Sequence, residues 1–296
     1  MDLRRIRELA LSPAAQLPLG ARESHAILAG ERPAPFAGGG IEFAEHRAFQ
    51  PGDSPRFINW RLYGRSGQLF VRRFQEERRE QLFLLIDQRA PMWFGTRRRL
   101  KVARALAQAV FLAQVAERRQ MEIGAVVLSD HLDWHAPRRR FAALAPLFAQ
   151  LNRQADPAGL SRHELALNAI LPQLALRIPR GSTVCLISDF HDLDADSVAL
   201  LYALARHHSL TAFHVQDPIE LQLPPQGRYT VADAARPEVT RVIDCDDAAR
   251  RGQWQARLDE RNARLRDWLV QGGAVRHACL TTDDWQDLLR PGRSDA

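Results

Sequence analysis

Lysine is almost absent from this 296-residue chain: of its 41 basic side chains only Lys101 is a lysine, and the others are arginines. Cysteine is scarce too. Cys185, Cys245 and Cys279 are odd in number and far apart, with no CxxC pair or Cys/His cluster, which argues against a disulfide framework or a thiolate zinc site. Buried, reduced thiols are expected instead. No apolar run approaches the roughly 20 residues of a membrane-spanning helix. The opening MDLRRIRELALSP has neither the apolar centre nor the small-residue cleavage site of a secretory signal. The expected location is the cytoplasm. GGG at 38–40 lacks the lysine and preceding strand of a phosphate-binding loop, and no Ser-His-Asp or Cys-His grouping surrounds a nucleophile turn.

What is present is an ordinary globular composition with a formal net charge of +6 and a pI near 10.0. The arginines are spread along the chain and mixed with acids, including the RRR runs at 97–99 and 138–140. This reads as a solvated basic surface, and a nucleic-acid partner is not expected.

From Gln81 onward apolar runs and helical stripes alternate. QLFLLID, MEIGAVVLSD, STVCLISD, LTAFHVQD and GAVRHACLT read as buried strands, and HLDWHA as a short edge strand. Helices are expected over 98–117, 141–151, 163–176, 197–206 and 247–271. The last of these carries Trp254, Leu258, Leu265 and Trp268 on one face and is ended by Gly272 and Gly273. GRYTVAD and EVTRVIDC suggest two β-like pieces, a short helix closes near Leu289, and RPGRSDA reads as a frayed tail. The expected fold is α/β: a doubly wound, mostly parallel sheet covered by helices on both faces.

Residues 1–80 do not share this repeat, so two regions are expected: an irregular, β-containing extension over 1–80 and the α/β domain over 81–296. The extension holds FQPGDSPRFINWRLYGRSGQLFVRRF, residues 49–74. Pro51, Gly52 and Asp53 suit a tight turn. Ile58, Trp60 and Leu62 are expected to pin the segment onto the domain, with Arg56 and Arg61 outward. It either merely covers a sheet edge or a helix, or forms a face for docking a partner.

In an open parallel sheet, ligands bind beyond the carboxyl ends of the strands where strand order reverses. Asp87 and Asp189 close the first and fourth strands. If those strands are neighbours, two carboxylates face one crevice and can hold a hard cation such as magnesium, or each simply caps the next turn. The run FHDLDAD after Asp189 adds His191, Asp192, Asp194 and Asp196, and Asp194 or Asp196 suits the N-cap of the following helix.

The element order, with GGGIEF at 38–43, R-x-x-x-P-G-D-x-x-R-x-I-x-W from Arg47 to Trp60, LISDF at 186–190 and DPIE at 217–220, resembles the bacterial family catalogued as domain of unknown function 58. These proteins are similar to von Willebrand factor A-type domains. The resemblance implies an adaptor or chaperone-like role beside MoxR-type AAA+ ATPases, with no established reaction. Von Willebrand A-type domains commonly bind partners through a metal held by D-x-S-x-S. Here that position reads D-Q-R-A-P, so Arg89 and Pro91 stand where two hydroxyl ligands are required, a degenerate site for which no resident cofactor is expected. Arg89 is expected to reach Asp87, Asp189 or both as a built-in cation. The expected function is thus a non-enzymatic protein-binding adaptor, with Asn59 and Trp60 in its N-terminal motif. The alternative is a metal-dependent hydrolase or phosphoesterase using Asp87, Asp189 and His191.

Overall fold

The computed structural model describes residues 3–17, 41–50, 58–76, 80–153, 165–232, 239–289 and 294–295. The apolar runs become strands where they lie: β3 (Gln81–Asp87), β4 (Glu122–Leu128), β6 (Thr183–Ser188), β7 (Ser209–Gln216) and β10 (Val275–Leu280), all paired in parallel. β5 (Leu132–Arg138) runs antiparallel to β4 at one edge. At the other edge Ser294–Asp295 form a two-residue strand, β11, antiparallel to β10, so this part of the expected frayed tail is paired. The order β11-β10-β7-β6-β3-β4-β5 places β3 beside β6 and reverses direction between them.

Side chains alternate across the sheet as the pleat requires. Leu82, Leu84, Ile86 and Ile187 face one core layer with α1 (Leu3–Ala10), α3 (Lys101–Arg118) and α4 (Ala145–Arg153). Phe83, Leu85, Val184 and Leu186 face the other with α5 (Leu167–Arg177), α6 (Ala195–Ala205) and α7 (Ala248–Gln271). The fold is therefore doubly wound with helices on both faces, consistent with a von Willebrand factor A-like arrangement.

Three expectations shift. The 98–117 helix begins at Lys101, because 94–100 is a loop that doubles back: Lys101 N donates to Phe94 O at 2.8 Å, and a Cβ at Gly95 would run into the Arg99 carbonyl oxygen. That helix was expected to bury one stripe, yet almost all of Lys101–Ala116 is buried, because α1 covers its outer side. The extension is accordingly not one piece. Residues 1–26 group with 80–296, and residues 27–79 form a second compact unit. Ile6 and Ala10 of α1 are fully buried, and Arg118 Nη1 donates to the carbonyls of Ala10 (2.6 Å) and Ser12 (2.8 Å), closing the free end of α1.

The stripe on α7 is divided. Leu265 and Leu269 enter the second core layer, while Trp254 and Leu258 pack on Leu223, Ile243 and Cys245 beside the antiparallel pair β8 (Arg228–Ala232) and β9 (Thr240–Asp244). All three cysteines are free and buried.

In the second unit, β1 (Ile41–Ala48) pairs antiparallel with β2 (Phe70–Glu76), and Ile58 bridges to Val71. Between them stands α2 (Trp60–Ser66). Asn59 caps it, its Oδ1 accepting from Leu62 N at 3.2 Å. Gly67 closes it at φ 66°, donating to Tyr63 O at 2.8 Å.

Candidate functional site at the strand switch point

Asp87 ends β3 and is fully buried. A carboxylate offers about four acceptor positions, and here four donors meet them. Oδ1 accepts from the backbone N (3.0 Å) and Nε (3.0 Å) of Arg89. Oδ2 accepts from Arg89 Nη2 (2.8 Å) and from Ser188 Oγ (2.6 Å) at the end of β6. Arg89 turns its other edge to Asp192: Nη1 donates to Oδ2 at 2.6 Å and Nη2 to Oδ1 at 3.0 Å. Nη1 also donates to Leu165 O at 3.1 Å. Asp192 Oδ2 in turn accepts from Leu167 N at 2.8 Å, so a side chain from the loop after β6 caps α5.

Arg89 was expected to reach Asp87, Asp189 or both. It reaches Asp87 and Asp192, and Asp189 belongs to another cation. Lys101 Nζ donates to Asp189 Oδ2 at 2.6 Å and to Glu220 Oε1 at 2.8 Å. The Lys101 side chain is 2% exposed. Asp189 Oδ1 faces His191 Nδ1 at 3.0 Å and accepts from the His191 backbone N at 3.2 Å. Phe190 makes this return possible with a left-handed φ of 53°, an uncommon conformation for a bulky residue. Its N–H donates to Ser188 Oγ at 2.9 Å, and its buried ring lies edge-on to His214.

The charges hold one another in their ionised forms. Burial alone would lower the Arg89 and Lys101 pKa values, but Asp87 and Asp192 for the first, and Asp189 and Glu220 for the second, raise both above their ordinary values. Burial would raise Asp189, yet His191 and Lys101 hold it well below the carboxylate range. Asp192 is likewise lowered against its burial, by Arg89 and His191. His191 is raised despite burial because Asp189 and Asp192 face it. It is partly open, with 28% of its side chain exposed, as is Glu220, with 32%.

The remaining candidates separate by role. Pro91 lies half-buried in the short 3-10 turn Ala90–Trp93 after Arg89 and contributes no polar side-chain atom. Asp194 caps α6 in a reciprocal box with Ser197, and Asp196 sits in its first turn. Pro51, Gly52, Asp53 and Arg56 lie outside the described residues, as does GGG at 38–40. Within its own unit Trp60 lies with its ring edge-on to Tyr63 at 6.2 Å, and its side chain is 62% exposed.

Sequence reasoning missed Lys101, Glu220 and Asp192 as members of the network, and Thr96 beside it. Thr96 anchors its loop through backbone N (2.9 Å) and hydroxyl bonds to Asp217, which also accepts from Thr281 Oγ1 at 2.7 Å. The signal for Lys101 was its rarity. Among the described residues, no group of three or more His, Cys, Asp or Glu side chains is arranged to hold a metal ion. In this geometry Asp87 has no acceptor position left to offer one, and the residues do not fit a resident metal bound there.

Residues 45–264 match the family model described as "Protein of unknown function DUF58". The chain belongs to the DUF58 family. It is 31% identical over 275 residues to uncharacterized protein Rv1480 of Mycobacterium tuberculosis and equally to uncharacterized protein Mb1516 of Mycobacterium bovis, covering 89% of this chain and 82% of each relative. Among solved structures, the conserved hypothetical protein BatB of Bacteroides thetaiotaomicron matches with a TM-score of 0.44 and 13% identity, over 70% of this chain and 94% of that one. An aerotolerance-related membrane protein of Bacteroides fragilis matches with a TM-score of 0.44 and 10% identity, over 71% and 95%. Among the described residues of this DUF58 chain, no helix is long and apolar enough to cross a membrane.

Proposed function

We propose that this DUF58 protein is a non-enzymatic, protein-binding adaptor or chaperone-like factor that works with a MoxR-type AAA+ ATPase. The observation that carries this reading is the rigidly presented aromatic pair on α2. Trp60 and Tyr63 are 62% and 43% exposed, no residue of the helix is buried, and Arg61 and Arg65 are exposed beside them. Side-chain and glycine caps fix both ends of the helix. Trp, Tyr and Arg are the residues that most often dominate protein interfaces, and a fixed display lowers the cost of ordering them on binding. The Asp87 and Asp189 carboxylates, already committed to Arg89, Ser188, Lys101 and His191, favour this reading over a metal-dependent hydrolase. The family resemblance supplies the ATPase as partner, and an ATP-driven partner fits a cytoplasmic location.

Purification from the native host, at low salt with nucleotide present, tests the reading. The expected result is a MoxR-type ATPase recovered with the wild-type protein and identified by mass. Trp60→Ala should weaken that association by roughly 30-fold, the loss of one interface anchor. Recovery of the wild-type protein without any such ATPase overturns the assignment.

A further inference from the structure

Lys101 is the one lysine in a chain that meets every other need for a basic side chain with arginine. Under so strong a bias, arginine is the expected residue wherever any long cation serves. A lysine that stands against the bias marks a place where a guanidinium does not serve.

The surroundings give the physical reason. Nζ lies 2.6 Å from Asp189 Oδ2 and 2.8 Å from Glu220 Oε1, under the Phe94 ring at 5.7 Å from its centroid. An ammonium is a compact point charge whose donors rotate, whereas a guanidinium is a flat fork needing more room and fixed directions. The partners arrive from separate loops: Asp189 follows β6, Glu220 ends the 3-10 turn Pro218–Glu220 after β7, and Lys101 opens α3. The loop before Lys101 is itself tied to Asp217 through Thr96. One nitrogen atom thus joins three connections at the carboxyl end of the sheet. Two carboxylates converging on one point repel and require a cation between them, either a hard metal ion or a fixed positive charge.

We propose that Lys101 is a positioning residue: its ammonium is a built-in counterion that holds Asp189 and Glu220, and with them the loops after β6 and β7, in the place a divalent ion would need. The crevice is then assembled at any free divalent concentration. Arginine cannot replace Lys101. A neutral side chain at 101 leaves two facing carboxylates that a divalent ion can bridge. The inference holds whatever partner the α2 face binds.

Three full-length proteins test it: wild type, Lys101→Arg and Lys101→Met, each melted with chelator, with millimolar magnesium and with millimolar manganese. The wild type should melt at one temperature in all three. Both variants should melt roughly 10 °C lower in chelator, as for a buried ion pair deprived of one partner. Only Lys101→Met should regain part of the loss when a divalent ion is added. Lys101→Arg melting with the wild type overturns the proposal, as does a Lys101→Met protein indifferent to both metals. If the variants do not fold, the wild type still decides. Lysine labelled with 13C at Cε gives one side-chain signal, which should stay sharp when manganese is added and resist reductive methylation until the protein is denatured. Broadening by manganese, or methylation at the rate of a free lysine, overturns it.

Discussion

A guanidinium has five N–H donors, and at position 89 all five are used: two on Asp87, two on Asp192 and one on the Leu165 carbonyl. The charge is nearly inaccessible, with 1% of the side chain exposed. Arg89→Lys keeps the charge but has at most three donors and no fork, so it strands part of Asp87 or Asp192. Breaking a buried pair by removing one partner costs about 3–5 kcal/mol. We expect Arg89→Ser to lose that much in urea denaturation and Arg89→Lys to lose at least half of it. An Arg89→Lys protein as stable as wild type would show that charge alone matters at this position and that the paired geometry contributes nothing. The contact with Asp87 was legible in the sequence, because two residues past a strand end is within reach. The contact with Asp192 was not, since it spans 103 positions and depends on the left-handed turn at Phe190.

At the scale of elements, α3 is buried nearly all round, its polar Lys101, Arg104, Gln108 and Gln114 included, so it needs cover on every side. The sheet supplies one side and α1 supplies another, through Ile6 and Ala10. Ile6→Ala should therefore destabilise the protein by about 3 kcal/mol, as for other large-to-small changes in a closed core. Removal of residues 1–17 should leave a protein that binds a hydrophobic dye and aggregates. Thermal denaturation and dye fluorescence check both, and a truncated protein that melts with the full chain would assign α1 no structural part. The difference between α1 and the strands explains what could be read in advance. Strands buried on both faces are continuous apolar runs, so QLFLLID and STVCLIS announce themselves, and their positions then fix a crevice between Asp87 and Asp189. α1 has eight residues, several of them arginines, and its apolar side is too short to stand out. Its clue lay in α3, whose excess of apolar residues exceeds what a one-sided helix needs.

For the molecule as a whole, pH stability follows from which groups are held away from their ordinary charge. His214 is buried against Arg276, and burial followed by that neighbouring charge lowers its pKa from 6.5 to about 3, with Lys101 and Arg261 adding and Asp189 opposing. A group with a depressed folded pKa stays neutral in the fold while the unfolded chain takes up its proton. The stability it allows is therefore complete above pH 6.5 and lost as pH falls toward 3. His208, lowered to about 4 by burial and then by His207 and Arg180, acts in the same direction. Asp189 and Asp192, lowered by their cations, add a further loss once pH falls below 3.8. His191 runs the opposite way: its raised pKa contributes stability that is full below 6.5 and lost as pH rises through the folded value. Between pH 6.5 and 4 His191 is charged in both the folded and the unfolded chain and adds no slope, while the two depressed histidines take up protons only on unfolding, so acidification should destabilise the protein. Each unmatched proton adds a slope of about 1.4 kcal/mol per pH unit. His214→Asn retains an acceptor for Arg276, which donates to His214 Nδ1 from Nε at 3.2 Å, and removes the titration. Urea denaturation measured across this range should then fall less steeply in the variant by about one proton's worth. Equal slopes would mean that His214 is already protonated in the fold, with its charge accommodated beside Arg276.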